Sequence, residues 1–217
     1  MTPSPYPLPT TNLHPPLTAP FSRPENPILL ICDLQEKFRP VISSYTHVLA
    51  TTRKTIKFAH LLQIPIHVTT QSAAKLGPIC SELTSLLKTG STPVVVHDKT
   101  RFSMVVPALL AELPAPPATV AIVGIEAHIC VTQTALDLLQ RGYGVYVLAD
   151  GVSSCNAGDT GLALHRLEKA GAVVVSSEGW VYEVMGDAGL EQFRAVAGVI
   201  KEAKDETRDA VEALCKI

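Results

Sequence analysis

The sequence predicts an α/β fold: a three-layer α/β/α sandwich around a six-stranded, mainly parallel sheet of order 3-2-1-4-5-6. Three observations predict it. From residue 28 onward, short Val- and Ile-rich runs alternate six times with longer helical patterns, which calls for right-handed crossovers. The apolar runs are near-continuous, as suits strands covered on both faces. Finally, 217 residues with 47% hydrophobic and only 18% charged side chains supply one substantial core rather than two.

Taken in order, residues 1–27 hold nine of the 17 prolines. Proline removes amide donors and fixes φ, so this stretch reads as an extended or disordered arm, with the folded domain running over 28–217. Strands are expected at Ile28–Asp33, Ile64–Thr70, Pro93–His97, Thr119–Gly124, Gly144–Ala149 and Ala172–Ser176. Helices are expected at roughly 43–62, 79–88, 104–112, 127–141, 157–170 and 190–215. Pro65, Pro78, Pro93, Pro114, Gly142 and Gly171 punctuate the boundaries. The last helical segment is charged on one face and reads as a solvated or partner-facing surface.

Composition excludes several classes. Lys+Arg 18 against Asp+Glu 20, with no basic run, argues against nucleic acid or an anionic membrane as partner. No apolar stretch approaches the roughly 18 residues of a membrane span. The arm has no apolar signal-peptide core, so a cytoplasmic protein is expected. Five widely spaced cysteines without a CxxC pair fit neither a disulfide framework nor a zinc ribbon, and point to a reducing compartment.

Ligands of open parallel sheets collect beyond the carboxyl ends of the strands. The first strand, ILLICD, ends on Asp33: an acid/base candidate, or a loop cap. The third strand delivers Lys99, which stabilises a thiolate or an oxyanion if it faces a cleft and is otherwise merely solvated. The fourth leads through Ile125, Glu126, Ala127, His128 and Ile129 to Cys130 at the start of a helix. There, free amide groups and the helix dipole lower a thiol pKa and hold an oxyanion. The competing reading of Cys130 is a core residue beneath the helix.

Together ILLICDLQEKF, HDKTRFSM and VGIEAHICVTQTALDLLQRGYGVYVLADGVSS resemble the isochorismatase-like hydrolases, in particular the eukaryotic isochorismatase domain-containing proteins, over roughly residues 28–187. The resemblance implies an Asp33–Lys99–Cys130 triad. It also implies a cis peptide at Ile125–Glu126 that aims the Glu126 amide, beside that of Cys130, at one oxyanion. A homo-oligomer, dimer or larger, is implied as well, and a mean hydropathy of +0.24 agrees with buried subunit contacts. Nicotinamidases resemble this family but carry an Asp and His cluster for a metal. LQEKFRPVISSYTH has no matching Asp-x-His, so no metal and no cofactor are expected.

The expected activity is hydrolysis of a C–N bond in a small amide-like molecule through a thioester-type intermediate on Cys130. Cleavage of isochorismate by proton transfer from Asp33 is the alternative within enzymes. An inactive interaction domain is the alternative outside them, and redox sensing by Cys130 is a weaker one. Gln35 and Gln71 are expected to orient substrate, Phe102 to supply an apolar wall and His128 to face the pocket. The other histidines read as structural. Strand three stands two strands from strand one, about 9–10 Å at sheet spacing, so Lys99 has a gap to span.

Overall fold

The structure, a computed structural model, describes residues 23–215. The expectation of an extended arm over 1–27 therefore falls almost wholly outside the described residues. Six strands form one sheet: β1 (Ile28–Cys32), β2 (Ile66–Gln71), β3 (Val94–Lys99), β4 (Thr119–Ile125), β5 (Gly144–Ser153) and β6 (Val173–Val175). Their order is β3-β2-β1-β4-β5-β6 and every pairing is parallel. This is the expected order, with its reversal between β1 and β4.

Side chains alternate across the sheet, and both faces are apolar. On one face, Leu29, Ile31, Ile66, Val68, Val123 and Leu148 pack beneath α1 (Tyr45–Leu61), α3 (Ser81–Thr89), α7 (Ser177–Met185), α8 (Phe193–Glu202) and α9 (Lys204–Leu214). On the other, Ile28, Leu30, Cys32, Ile122 and Val147 pack beneath α4 (Pro107–Glu112), α5 (Thr132–Leu139) and α6 (Ala157–Lys169). A single-turn α2 (Ala73–Leu76) follows β2. These are the three layers.

Four differences from expectation shape the architecture. The helix expected from 127 opens as a π-helical turn, Ala127–Val131, before α5 begins. Strand β5 continues past Ala149 to Ser153, with its register against β4 shifting between Ile122 and Gly124. Helix α7 was not expected: the Ser176 side chain caps it by accepting the Gly179 amide, and Trp180, Val181 and Met185 bury one face. The 190–215 segment is two helices parted at Ala203, because α9 turns to pack against α1 and β5.

A buried polar knot ties the α1 layer together. Asp150 of β5 accepts the Ser177 amide at 2.7 Å at the start of α7 and lies 3.8 Å from Lys54 of α1. Lys54 in turn donates to Thr207 of α9 at 2.7 Å.

Candidate active site

Strand β1 ends because Asp33 turns into the left-handed region, φ 51°. That turn swings its carboxylate over the carboxyl edge of the sheet. Asp33 is 1% exposed, and a buried carboxylate must be paired. Oδ1 accepts the Thr69 hydroxyl at 2.7 Å, and Oδ2 accepts Lys99 Nζ at 2.7 Å and, weakly, the Cys32 thiol at 3.6 Å. Three of its roughly four acceptor positions are filled, leaving one.

Lys99 closes the gap that the strand order sets. It pairs in register with Gln71, and its side chain runs back across β2 toward β1. Besides Asp33, its ammonium donates to Gln71 Oε1 at 2.7 Å and to the carbonyls of Arg101 (3.1 Å) and Phe102 (3.0 Å). Four acceptors around three N–H bonds fix its position.

Cys130 comes to the same place from β4. Gly124 makes the approach possible: at φ 116°, it sits where a Cβ would lie 2.1 Å from the Cys32 carbonyl oxygen. Only glycine lets β1 and β4 close there. The Ile125–Glu126 peptide that follows is cis. The π-turn then lifts Cys130, its Glu126 carbonyl taking the amides of Ile129 (3.0 Å) and Val131 (3.1 Å). Thr134 anchors the turn: it donates to the Cys130 carbonyl at 2.6 Å and accepts the Met104 amide at 2.9 Å.

The sulfurs of Cys32 and Cys130 and an Asp33 carboxylate oxygen lie within 4.8 Å of one another. Asp33, Lys99 and Cys130, separated in sequence, thus meet at one rim, and Cys130 keeps a 7% exposed margin. Burial pushes the Cys32 thiol well above its ordinary pKa, and its neighbours Cys130 and Asp33 push the same way. Cys32 therefore stays protonated beneath the nucleophile position.

The second-tier residues divide. Gln35 is fully buried and its amide is spent internally. It donates to the carbonyls of Gly77 (2.7 Å) and Gln71 (3.3 Å) and accepts the Gln71 amide at 2.7 Å. Gln71 donates to the Thr100 carbonyl at 2.8 Å and accepts from Lys99, so it positions the ammonium. These two amides, expected to orient substrate, instead brace the loops. Phe102 is 52% exposed beside the site. His128 is half-buried, one ring nitrogen 2.8 Å from the Ser154 hydroxyl. The Glu126 carboxylate accepts the Cys155 amide at 2.8 Å.

Thr69, Cys32 and Thr134 escaped the sequence reading. Thr69 alone carried a usable signal: it is a polar residue in an apolar run, one strand over from Asp33.

A parallel sheet of this order, with these groups gathered at its carboxyl edge, defines the isochorismatase-like class of folds. The chain belongs to the isochorismatase family: the Isochorismatase domain model matches residues 27–179. It is similar to isochorismatase domain-containing protein 2A of Mus musculus, 41% identical over 181 residues, 82% of this chain and 84% of that one. The secreted isochorismatase effector Isc1 of Phytophthora sojae is 38% identical over 183 residues, 82% of this chain and 86% of that one. Among solved structures, the MAR1 ribonuclease from Caenorhabditis elegans superposes with a TM-score of 0.76 at 38% identity, covering 82% of this chain and 91% of that one. The family and its hydrolase fold are thereby shown. Among the described residues, no helix is long and apolar enough to cross a membrane.

Proposed function

We propose that the chain is a cysteine hydrolase that cleaves a C–N bond of a small amide-like substrate, with Asp33, Lys99 and Cys130 as its catalytic groups. The observation that carries this is the convergence of a carboxylate, an ammonium and a marginally exposed thiol at the sheet's carboxyl edge.

Asp33 takes the Cys130 thiol proton on its one unfilled acceptor position, while Lys99 balances the carboxylate and the growing thiolate. The sulfur attacks the substrate carbonyl carbon, and the electron pair moves to the oxygen, which the Glu126 and Cys130 amides receive. Asp33 returns the proton to the leaving nitrogen as the C–N bond breaks. Water, deprotonated by Asp33, then hydrolyses the thioester and restores the thiol. Phe102 offers an apolar wall. No resident metal or cofactor takes part in these steps, and a homo-oligomer is the expected assembly.

On this reading the catalytic domain is the segment 28–217. A reducing, cytoplasmic setting suits two thiols held side by side, since Cys32 and Cys130 would otherwise be drawn toward a disulfide.

The nematode relative is named as a ribonuclease. Here the Lys99 ammonium is buried and already paired, which leaves it unsuited to phosphate recognition.

Product analysis by mass spectrometry over a panel of small amides, isochorismate and an RNA oligonucleotide tests the reading. Amide turnover lost in Cys130→Ala is expected. Isochorismate cleavage that persists in Cys130→Ala, with no amide turned over, overturns it.

A further inference from the structure

We propose that Glu126, His128 and Cys155 form a second, separate site that binds a zinc-type divalent cation at the rim between β4 and β5. A Glu126 carboxylate oxygen, a His128 ring nitrogen and the Cys155 sulfur lie within 4.8 Å of one another. They come from two loops 29 residues apart. One oxygen, one imidazole nitrogen and one sulfur is a borderline-soft donor set of the kind zinc takes, with a fourth position left to water.

The donors are held before any cation arrives. Cys155 donates its amide to Glu126 Oε2 at 2.8 Å, which holds the carboxylate against the segment that carries the thiol. Ser154 steadies the imidazole at 2.8 Å through Nδ1. A ligating histidine is usually held by a carboxylate, a backbone carbonyl or water, and here the Ser154 hydroxyl is the group that holds the ring. Ligands on one tetrahedral zinc stand about 3.4–3.6 Å apart, given bond lengths of about 2.0–2.3 Å. Cys155 is exposed, so its side chain can rotate inward by the remaining distance. The thiol proton passes to solvent as the metal–sulfur bond forms.

Charge favours a cation here. The Glu126 and Asp159 carboxyl groups are the acidic side chains that act on the Cys155 thiol. The other thiol cluster, Cys32, Asp33 and Cys130, is the reverse case. There Lys99 Nζ, 2.7 Å from the carboxylate, already occupies the cation's place. The expectation of no metal rested on the segment after Asp33, and this rim is a different part of the chain.

Cobalt(II), with its visible ligand-field bands, is the probe. The full chain, stripped with chelator, is titrated with cobalt while a thiolate-to-cobalt charge-transfer band is followed, and zinc is then added to displace it. One cobalt per chain with that band is expected. Cys155→Ser, an exposed change that leaves the core intact, abolishes the band. Ser154→Ala weakens binding by about 10–100-fold. Cys130→Ala leaves the band in place, which separates this site from the catalytic one. A band that survives Cys155→Ser, a band lost in Cys130→Ala, or no cobalt bound at all overturns the proposal.

Discussion

Lys99 Nζ stands 2.7 Å from Asp33 Oδ2 across 66 residues of chain, with both side chains withdrawn from solvent. Each charge is tolerable there only because the other is present. Lys99→Met therefore strands a buried carboxylate. It is expected to cost about 3–5 kcal/mol in a denaturant titration. It also removes at least about 10²–10³ in kcat on the amide substrate, the scale of losing one preorganised electrostatic group.

Thr69 holds the other carboxylate oxygen at 2.7 Å. Thr69→Val keeps the shape and deletes that bond, leaving Oδ1 buried without its partner. A loss of about 1–3 kcal/mol is expected. Amide turnover should fall as well, because the Asp33 carboxylate loses a contact that fixes its position. A kcat unchanged from wild type would show that Thr69 serves folding alone.

Gly124 carries the approach of β4 to β1. Gly124→Ala places a methyl 2.1 Å from the Cys32 carbonyl oxygen at a φ of 116° that alanine resists. Backbone cannot yield as a flexible side chain does. The expected destabilisation is about 2–5 kcal/mol, from strain and overpacking together, read by thermal unfolding.

Glu36 offers a pH test away from the site. Arg39, and after it the Ser81 amide, hold its carboxyl down from 4.5 to about 2. A depressed carboxyl contributes stability above the unfolded value and loses it as pH falls through the folded one. Compared with Glu36→Gln, wild type should hold a small lead above about pH 4.5 that vanishes toward pH 2. The side chain is about a third exposed, so solvent screening keeps that lead modest. A lead that stays constant across this range contradicts the assignment.

Much of this molecule was legible in the sequence because its signals are local. ILLICD and TVAIVG announce buried parallel strands by unbroken apolarity; PVVVHD reads the same way but forms the half-exposed edge strand β3, with Val96 open to solvent. Each runs to or toward a polar residue at the rim where ligands collect. Alternation gave the parallel sheet; the order 3-2-1-4-5-6 came from doubly wound folds of this kind, and with it the meeting of Asp33 and Cys130 across β1 and β4. What stayed hidden depends on partners distant in the chain. Gln35 and Gln71 look like substrate-facing amides until the fold gives their hydrogen bonds to Gly77, Thr100, Lys99 and one another. Nothing in KEAKDET breaks a helix, yet Ala203 does, because α9 finds α1 and β5. Helix α7 did carry a local mark, Ser176 ahead of Trp180 and Val181, that periodicity over so short a span understates.

The most direct test of the hydrolytic reading is intact-mass and peptide mapping of the protein quenched during turnover of an amide substrate. An acyl group should appear on the peptide bearing Cys130, at close to one per chain, and should be missing from Asp33→Asn and Lys99→Met. Full turnover by Cys130→Ala, or an acyl group carried on Cys32 or Cys155 in place of Cys130, would contradict it.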